Sequence, residues 1–318
     1  MRILIYGAGA VGLGLASCLL KSKQEVSLMA RKDTAHALKK FGLKRRGILG
    51  SYKASPKNFS CLTALENLKN QPFDFILVTI KSFDSERAAK DISRHKKVFN
   101  KDTKIVLCQN GWGNAEIFAE FFPKKQIYNA RVITGFIRPK PNEVTLTVHA
   151  DSVRMGSLFG GNISLLKPLA DAVSKGDLPC RVVKNIEKDL WAKMLYNCAL
   201  NPLGAIFDCP YGILGESPYT RNLMNEIMRE VFCVMKKTGY KTHWSTAKGY
   251  MKAFYSKFLP STYQHHSSTL QDIKAKRKTE IDSLNGMAIR LAEGLKIPIP
   301  VNRMVYQMIK LIEQKNLK

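Results

Sequence analysis

Lys193, Asn197 and Asn201 recur four residues apart in the segment from Leu190 to Pro202. On an α-helix that spacing drifts by only about 40° per step, so one ammonium and two carboxamides share a stripe. Leu190, Met194 and Cys198 fall beside it. A cation and two amides in apolar company suit a ligand bearing carboxylate or hydroxyl groups, which would satisfy them. The same spacing also fits a polar face turned to water. Pro202 has no N–H to donate and is expected to end or kink the helix. A second polar set follows, with Ser268 and Asp272 four residues apart and Glu280 two turns later. The whole of 266–294 reads as one helix, with Asn285-Gly286 in its middle, where a glycine implies close packing.

The other chemistry-bearing segment opens the chain. Gly7-Ala8-Gly9-Ala10-Val11-Gly12 follows the apolar run Ile3–Tyr6 and leads into a helical stretch from Val11 to Leu20. Strand, tight turn and helix form the context in which G-x-G-x-x-G binds a dinucleotide. Gly7 permits the turn, Gly9 lets the backbone approach a pyrophosphate, and Gly12 allows close packing. The helix N-terminus offers unpaired N–H groups and a positive dipole end to the phosphates. The next strand, from Glu25 to Ala30, ends at Arg31, 19 positions past Gly12, and Lys32 follows. An acidic residue at that tip would accept from the 2′-hydroxyl of NAD, whereas a guanidinium suits a 2′-phosphate. The expected cofactor is therefore NADP(H).

Around these segments the patterning changes once along the chain. Strand-like runs at 73–79, 104–108, 126–128 and 131–133 alternate with helical segments near 82–95 and 114–121. Short apolar runs between helices predict a doubly wound parallel sheet. Val144–Val148 alternates and reads as an antiparallel extension of it. After Arg181-Val182-Val183 the period is helical, with expected helices at 186–200, 218–238, 243–257, 266–294 and 302–315. Gly239 and Gly294 are their plausible stops. The chain is expected to divide into a Rossmann domain over 1–184 and an all-α domain over 185–318. Lys81 and Asn110 fall at the carboxyl ends of sheet strands, where such sheets bind ligands.

Composition narrows the class. Charged residues make up 24% and apolar ones 45% of 318 residues, ordinary values for a globular protein. Lys and Arg number 51 against 25 Asp and Glu, a net charge of +26 spread over both halves. Such a field attracts anionic cofactors and substrates. It would also hold nucleic acid loosely at low salt, but no nucleic-acid module is present. Seven dispersed cysteines, with no C-x-x-C and no Cys/His cluster, fit reduced thiols in the cytoplasm and no metal site. Residues 3–20 carry no charge, but a single Arg2 precedes them and four glycines interrupt them, which argues against export or a membrane span.

Taken together, Gly7–Gly12 with Arg31, Val78-Thr79-Ile80-Lys81, Gln109-Asn110-Gly111, Trp191–Pro202 and Ser267–Asn285 resemble the ketopantoate reductase (2-dehydropantoate 2-reductase) family. The resemblance runs over nearly the whole chain. It implies a C-terminal domain of the 6-phosphogluconate-dehydrogenase type and NADPH-dependent reduction of ketopantoate to (R)-pantoate, for pantothenate and coenzyme A synthesis. Lys193 matches the family's catalytic lysine, and Asn197, Asn201 and Ser268 match substrate-binding positions. Glu280 matches an acidic residue on the nicotinamide side of the active site, with a catalytic and a cofactor role. Lys81 and Asn110 match cofactor contacts. Tyr211 after Cys209-Pro210, His265-His266 before Ser267, and the stretch Thr134–Pro139 depart from the family pattern. These departures leave open a reductase of another 2-oxo acid. The charge alone leaves a third reading, a non-catalytic NADP- or nucleic-acid-binding protein. A histidine at 265 or 266 would add positive potential toward a carboxylate below about pH 6.5. A homodimer is the expected assembly.

Overall fold

The computed structural model describes residues 1–68 and 72–317. They fall into two compact units: Met1–Gln109 with Asn114–Ile186, and Asn110–Gly113 with Glu187 onward.

The first unit runs β1 (Arg2–Tyr6), α1 (Ala10–Lys21), β2 (Glu25–Met29), α2 (Lys32–Phe41), β3 (Leu43–Gly47), β4 (Tyr52–Ala54), β5 (Ser60–Leu62) and β6 (Phe75–Val78). It continues through α3 (Ser85–Arg94), β7 (Lys104–Leu107), α4 (Asn114–Ala119), β8 (Ile127–Arg131), β9 (Thr134–Lys140), β10 (Glu143–His149), β11 (Val153–Gly156), α5 (Lys167–Lys175) and β12 (Cys180–Val182). Eight strands form the main sheet in the order β12-β11-β8-β7-β6-β1-β2-β5. From β8 to β5 the pairing is parallel, and β11 reverses direction against β8. Residues 3–6 of β1 are buried throughout, because helices cover both faces. Ile3 and Ile5 pack in one core with α1 and α5, while Leu4 and Tyr6 pack in another with α3 and α4. That is the period of two of a strand with two covered faces. The chain leaves β1 toward β2 on one side and later returns to β6 on the other, so the strand order reverses at the glycine turn.

A second, four-stranded sheet in the order β4-β3-β10-β9 was not legible in the sequence. Val144–Val148 lies in β10, paired antiparallel to β9 and parallel to β3, so it does not extend the main sheet. Residues 131–133 likewise do not form one strand: β8 ends at Arg131 and β9 begins at Thr134. This sheet packs on α1. The Phe136 ring lies where a Cβ on Gly14 would come within 2.3 Å of it.

The second unit holds α6 (Ile186–Ile206), α7 (Tyr211–Glu216), α8 (Pro218–Lys237), α9 (Ala247–Ala253), α10 (Ser268–Lys274), α11 (Asn285–Gly294) and α12 (Pro300–Leu317). Among its described residues there is no strand. The helix bearing Pro202 does not end there but runs on to Ile206. Proline cannot donate to the carbonyl four residues back, and Asn285 Nδ2 donates to that Cys198 oxygen instead, at 3.1 Å.

The expected helix over 243–257 begins only at Ala247, where Thr246 caps it by accepting from the Gly249 N–H at 3.1 Å. The expected helix over 266–294 is broken. It stops at Lys274, Lys276 is left-handed at φ 49°, and regular α-helix resumes at Asn285. Past the break, Oε1 of buried Glu313 on α12 accepts from both the Thr279 N–H and hydroxyl at 2.6 Å. Gly286 therefore sits in the first turn of a helix rather than in its middle.

Candidate functional site

Two groups of residues carry chemistry, one in each unit. In the first, the turn from Gly7 to Gly12 follows β1 and is tied to β2 by the Gly7 and Ala8 N–H groups, which both donate to the Met29 carbonyl. Gly7 sits at φ 120°, and a Cβ there would lie 2.7 Å from Ile80 Cγ2. A Cβ on Gly12 would lie 2.0 Å from the Gly7 carbonyl oxygen. The Thr79 hydroxyl donates to that same oxygen at 2.5 Å. These two glycines are demanded by the protein's own packing. Gly9 is different, because a Cβ there would meet no protein atom within 4 Å. Its bareness serves whatever occupies the open space, and Gly9 is the N-cap of α1, whose first turn has no acidic residue. A dinucleotide pyrophosphate fits that cradle of unpaired N–H groups at a helix N-terminus.

Arg31 is exposed and occupies the N-cap position of α2, two residues beyond the end of β2. Lys81, half-buried, follows β6 by three residues and leads into the short turn Ser82–Asp84. Ala8, Ala10 and Val11 complete the turn between strand and helix.

In the second unit, α6 brings Lys193, Asn197 and Asn201 onto one stripe, with the amides buried and the lysine half-buried. Lys193 Nζ donates to Asn110 Oδ1 at 2.7 Å, and Asn110 Nδ2 donates to Glu280 Oε2 at 3.2 Å. The two charged neighbours orient the amide: an ammonium can only donate, and a carboxylate can only accept. Asn110 itself is fixed by the three residues after it. Gly111 is left-handed at φ 85°, and a Cβ there would lie 2.4 Å from the Ser283 carbonyl oxygen. The Trp112 N–H donates to that same oxygen at 3.0 Å. The Trp112 ring packs 4.8 Å from Trp191 and 4.7 Å from Tyr240, measured between centroids. Thus an aromatic cluster and a buried loop hold the amide against the lysine.

At the other end of the stripe, the Tyr211 hydroxyl donates to Asn201 Oδ1 at 2.5 Å. Burial pushes the Tyr211 phenol well above its usual value, so it remains a donor. The Tyr211 ring lies 5.3 Å from that of His265, and its N–H donates to the His265 carbonyl. Burial, then the charge of His266, lowers the His265 imidazole below its ordinary value. Positive charge at His265 therefore requires a pH lower than the 6.5 expected from sequence. Ser268 opens α10, whose N-cap is Ser267 with its hydroxyl on the Leu270 N–H at 2.9 Å. Ser267 lies 3.6 Å from where a Cβ of Gly204, one turn past Asn201, would sit.

The residues expected from sequence thus form two sets: Gly7–Gly12, Arg31 and Lys81 in the first unit, and Lys193, Asn197, Asn201, Asn110, Glu280 and Ser268 in the second. Asn110, expected as a cofactor contact, here touches Lys193 and Glu280. Sequence reasoning missed Thr79 as the brace of the turn and Trp112, Tyr240 and Ser283 as the setting of Asn110. Gly111 and Gly113, flanking Trp112, were the available signal of a close approach after β7.

The comparisons concern the chain as a whole. Residues 3–159 match the family model "Ketopantoate reductase PanE/ApbA", and 185–313 match "Ketopantoate reductase PanE/ApbA C terminal". The chain is 35% identical to the 2-dehydropantoate 2-reductase of Aquifex aeolicus, across 100% of this chain and 99% of that one. It is similar to a solved PanE/ApbA family ketopantoate reductase from Ralstonia eutropha, at 27% identity, full coverage of both chains and TM-score 0.85. It is also similar to D-mandelate dehydrogenase solved with NADH and anilino(oxo)acetate, at 25% identity, 99% coverage of each and TM-score 0.88. With a matching model on each half of its length, the chain belongs to the ketopantoate reductase family.

Proposed function

We propose that this enzyme takes its reducing equivalents from NADPH and that Lys193 is its catalytic cation. Membership of the family makes it an oxidoreductase that reduces 2-dehydropantoate to pantoate, in pantothenate synthesis. NADPH would supply the hydride for C2 of the 2-oxo acid. The turn Gly7–Gly12 would hold the pyrophosphate, with Lys81 beside it and Arg31 on the adenosine 2′-phosphate.

The observation that carries the catalytic reading is the lysine–amide–carboxylate chain. Charge grows on the ketone oxygen as C2 is reduced, and an ammonium held in one direction stabilises it and delivers a proton. Asn110 aims Lys193, and Glu280 balances its charge through the amide. Asn197, Asn201 and Ser268 are assigned to the substrate's carboxylate and hydroxyl groups. Purified protein should consume NADPH when given 2-dehydropantoate, and no turnover would reject the reading. Arg31→Glu should move the preference from NADPH toward NADH; an unmoved preference would reject Arg31 as the 2′-phosphate ligand.

One observation favours a second reading, another 2-oxo acid on the same scaffold. Tyr211 occupies the Asn201 carbonyl oxygen and turns its Nδ2 away from the ring. A neighbour at 25% identity is named for D-mandelate, a hydroxy acid with an aromatic group. A panel of branched, linear and aryl 2-oxo acids, compared by kcat/KM, separates the two readings. Seven free cysteines, four of them buried, support a cytoplasmic setting. No helix among the described residues is long and apolar enough to cross a membrane. The homodimer belongs to the same reading and is checked by sedimentation.

A further inference from the structure

β9 is the strand of the second sheet that reaches the phosphate-binding turn. Phe136 anchors it on α1 by filling the space beside Gly14. Two residues along a strand return the side chain to the same face, and there stands Arg138. Its Nη1 donates to the Ala8 carbonyl at 3.2 Å and to the Thr34 hydroxyl at 3.3 Å. Ala8 belongs to the glycine turn. Thr34 lies in the first turn of α2, the helix whose N-cap position Arg31 occupies. One exposed guanidinium therefore spans the gap between the turn and the end of β2. In a dinucleotide-binding sheet the adenosine ribose crosses that gap, between the pyrophosphate and the strand tip.

We infer that Arg138 is a second ligand of the cofactor's adenosine 2′-phosphate, acting with Arg31. This rests on the NADPH reading above. The chemistry suits arginine: its planar fork grips fixed oxygens on one edge while presenting N–H donors to a phosphate on another. The scaffold suits it too. Arg31 and Lys32 sit on a helix terminus open to water, whereas Arg138 is held by two protein oxygens before any ligand arrives. A held cation spends less conformational entropy on binding. Asp33 is the acidic residue in that first turn of α2, and its repulsion of a phosphate makes a further cation the more useful.

The test uses the whole enzyme and measures binding of 2′,5′-ADP and of 5′-ADP by calorimetry, without turnover. Arg138→Ala should weaken 2′,5′-ADP by about tenfold to a hundredfold, the worth of a charge-assisted hydrogen bond, and leave 5′-ADP within about twofold. Arg138→Lys keeps a cation on the strand and should lose less for 2′,5′-ADP, again with 5′-ADP unchanged. Equal losses for both ligands in either variant would make Arg138 a brace of the turn or a pyrophosphate ligand and overturn the assignment. Undiminished 2′,5′-ADP binding in Arg138→Ala would overturn it as well. Failure of the NADPH reading looks different: the unaltered enzyme would bind the two ligands equally. Weakened 2′,5′-ADP binding in Arg31→Ala with none in Arg138→Ala would reject Arg138 alone.

Discussion

Lys193 Nζ lies 2.7 Å from Asn110 Oδ1, although the two residues are 83 positions apart in the chain. Asn110 comes from the loop after β7 and Lys193 from the second turn of α6, and both belong to the same compact unit. The amide fixes the direction of the ammonium, and Glu280 fixes the amide. Lys193→Ala should lower kcat by about a hundredfold to a thousandfold, the range for removing a preorganised donor to a developing oxyanion. Asn110→Ala keeps the lysine but frees its direction, so kcat should fall by less than in Lys193→Ala. Steady-state kinetics on both variants, with thermal melts to exclude unfolding, checks the order.

Two glycines of the turn, Gly9 and Gly7, should respond differently to the same substitution. Gly9→Ala meets no protein atom and keeps an ordinary backbone angle, so stability should stay within about 0.5 kcal/mol. Its methyl group would stand where the pyrophosphate approaches, and cofactor affinity should fall at least about tenfold. Gly7→Ala forces a side chain into φ 120° and against Ile80, and should destabilise the fold by about 1–3 kcal/mol. Paired melting and cofactor titration separate the two effects.

Asn285 and Pro202 form a matched pair. Asn285→Ala removes the donor from the Cys198 carbonyl and should cost about 1–3 kcal/mol, the penalty of a buried unpaired acceptor. Adding Pro202→Ala restores a backbone N–H at the right place in the helix. In a denaturation double-mutant cycle the second change should recover part of the loss, and simple additivity would show that the two are not coupled.

Asp151 sets a pH dependence. Burial alone would raise its carboxyl, but the hydrogen bond and charge of Arg131, joined by Arg154, outweigh that and pull it down to about 2. The distances are 2.9 Å to Arg131 and 2.6 Å to Arg154. The unfolded chain binds this proton near pH 3.9, so its contribution to stability is full above that value. It should fade as the pH drops from about 4 toward 2. Asp151→Asn should flatten that part of the stability profile, measured by urea unfolding at several pH values.

The glycine turn was readable because its chemistry is local. Six consecutive residues, a strand before them and a helix after them are short-range facts, and G-x-G-x-x-G constrains backbone shape directly. The stripe of Lys193, Asn197 and Asn201 was readable for the same reason, since four-residue spacing needs only a helix. Reading 266–294 as one helix missed the break, past which Thr279 gives its N–H to Glu313, 34 positions away. The second sheet was hidden because β3 and β4 are short and polar, so no alternation marked them. Pro202 misled because the donor that lets α6 continue comes from Asn285, 87 positions from the Cys198 carbonyl it satisfies.

Residue type and spacing alone determined that the chain has a glycine turn between strand and helix, a basic strand tip and a helix carrying an ammonium followed by two amides. Only the tertiary structure decided what each side chain faces. Asn110 meets Lys193, Tyr211 takes the Asn201 oxygen, and Arg138 reaches the Ala8 carbonyl. Hydrogen bonds act over about 3 Å in space and carry no memory of separation along the chain, so a linear pattern can nominate such groups but cannot pair them.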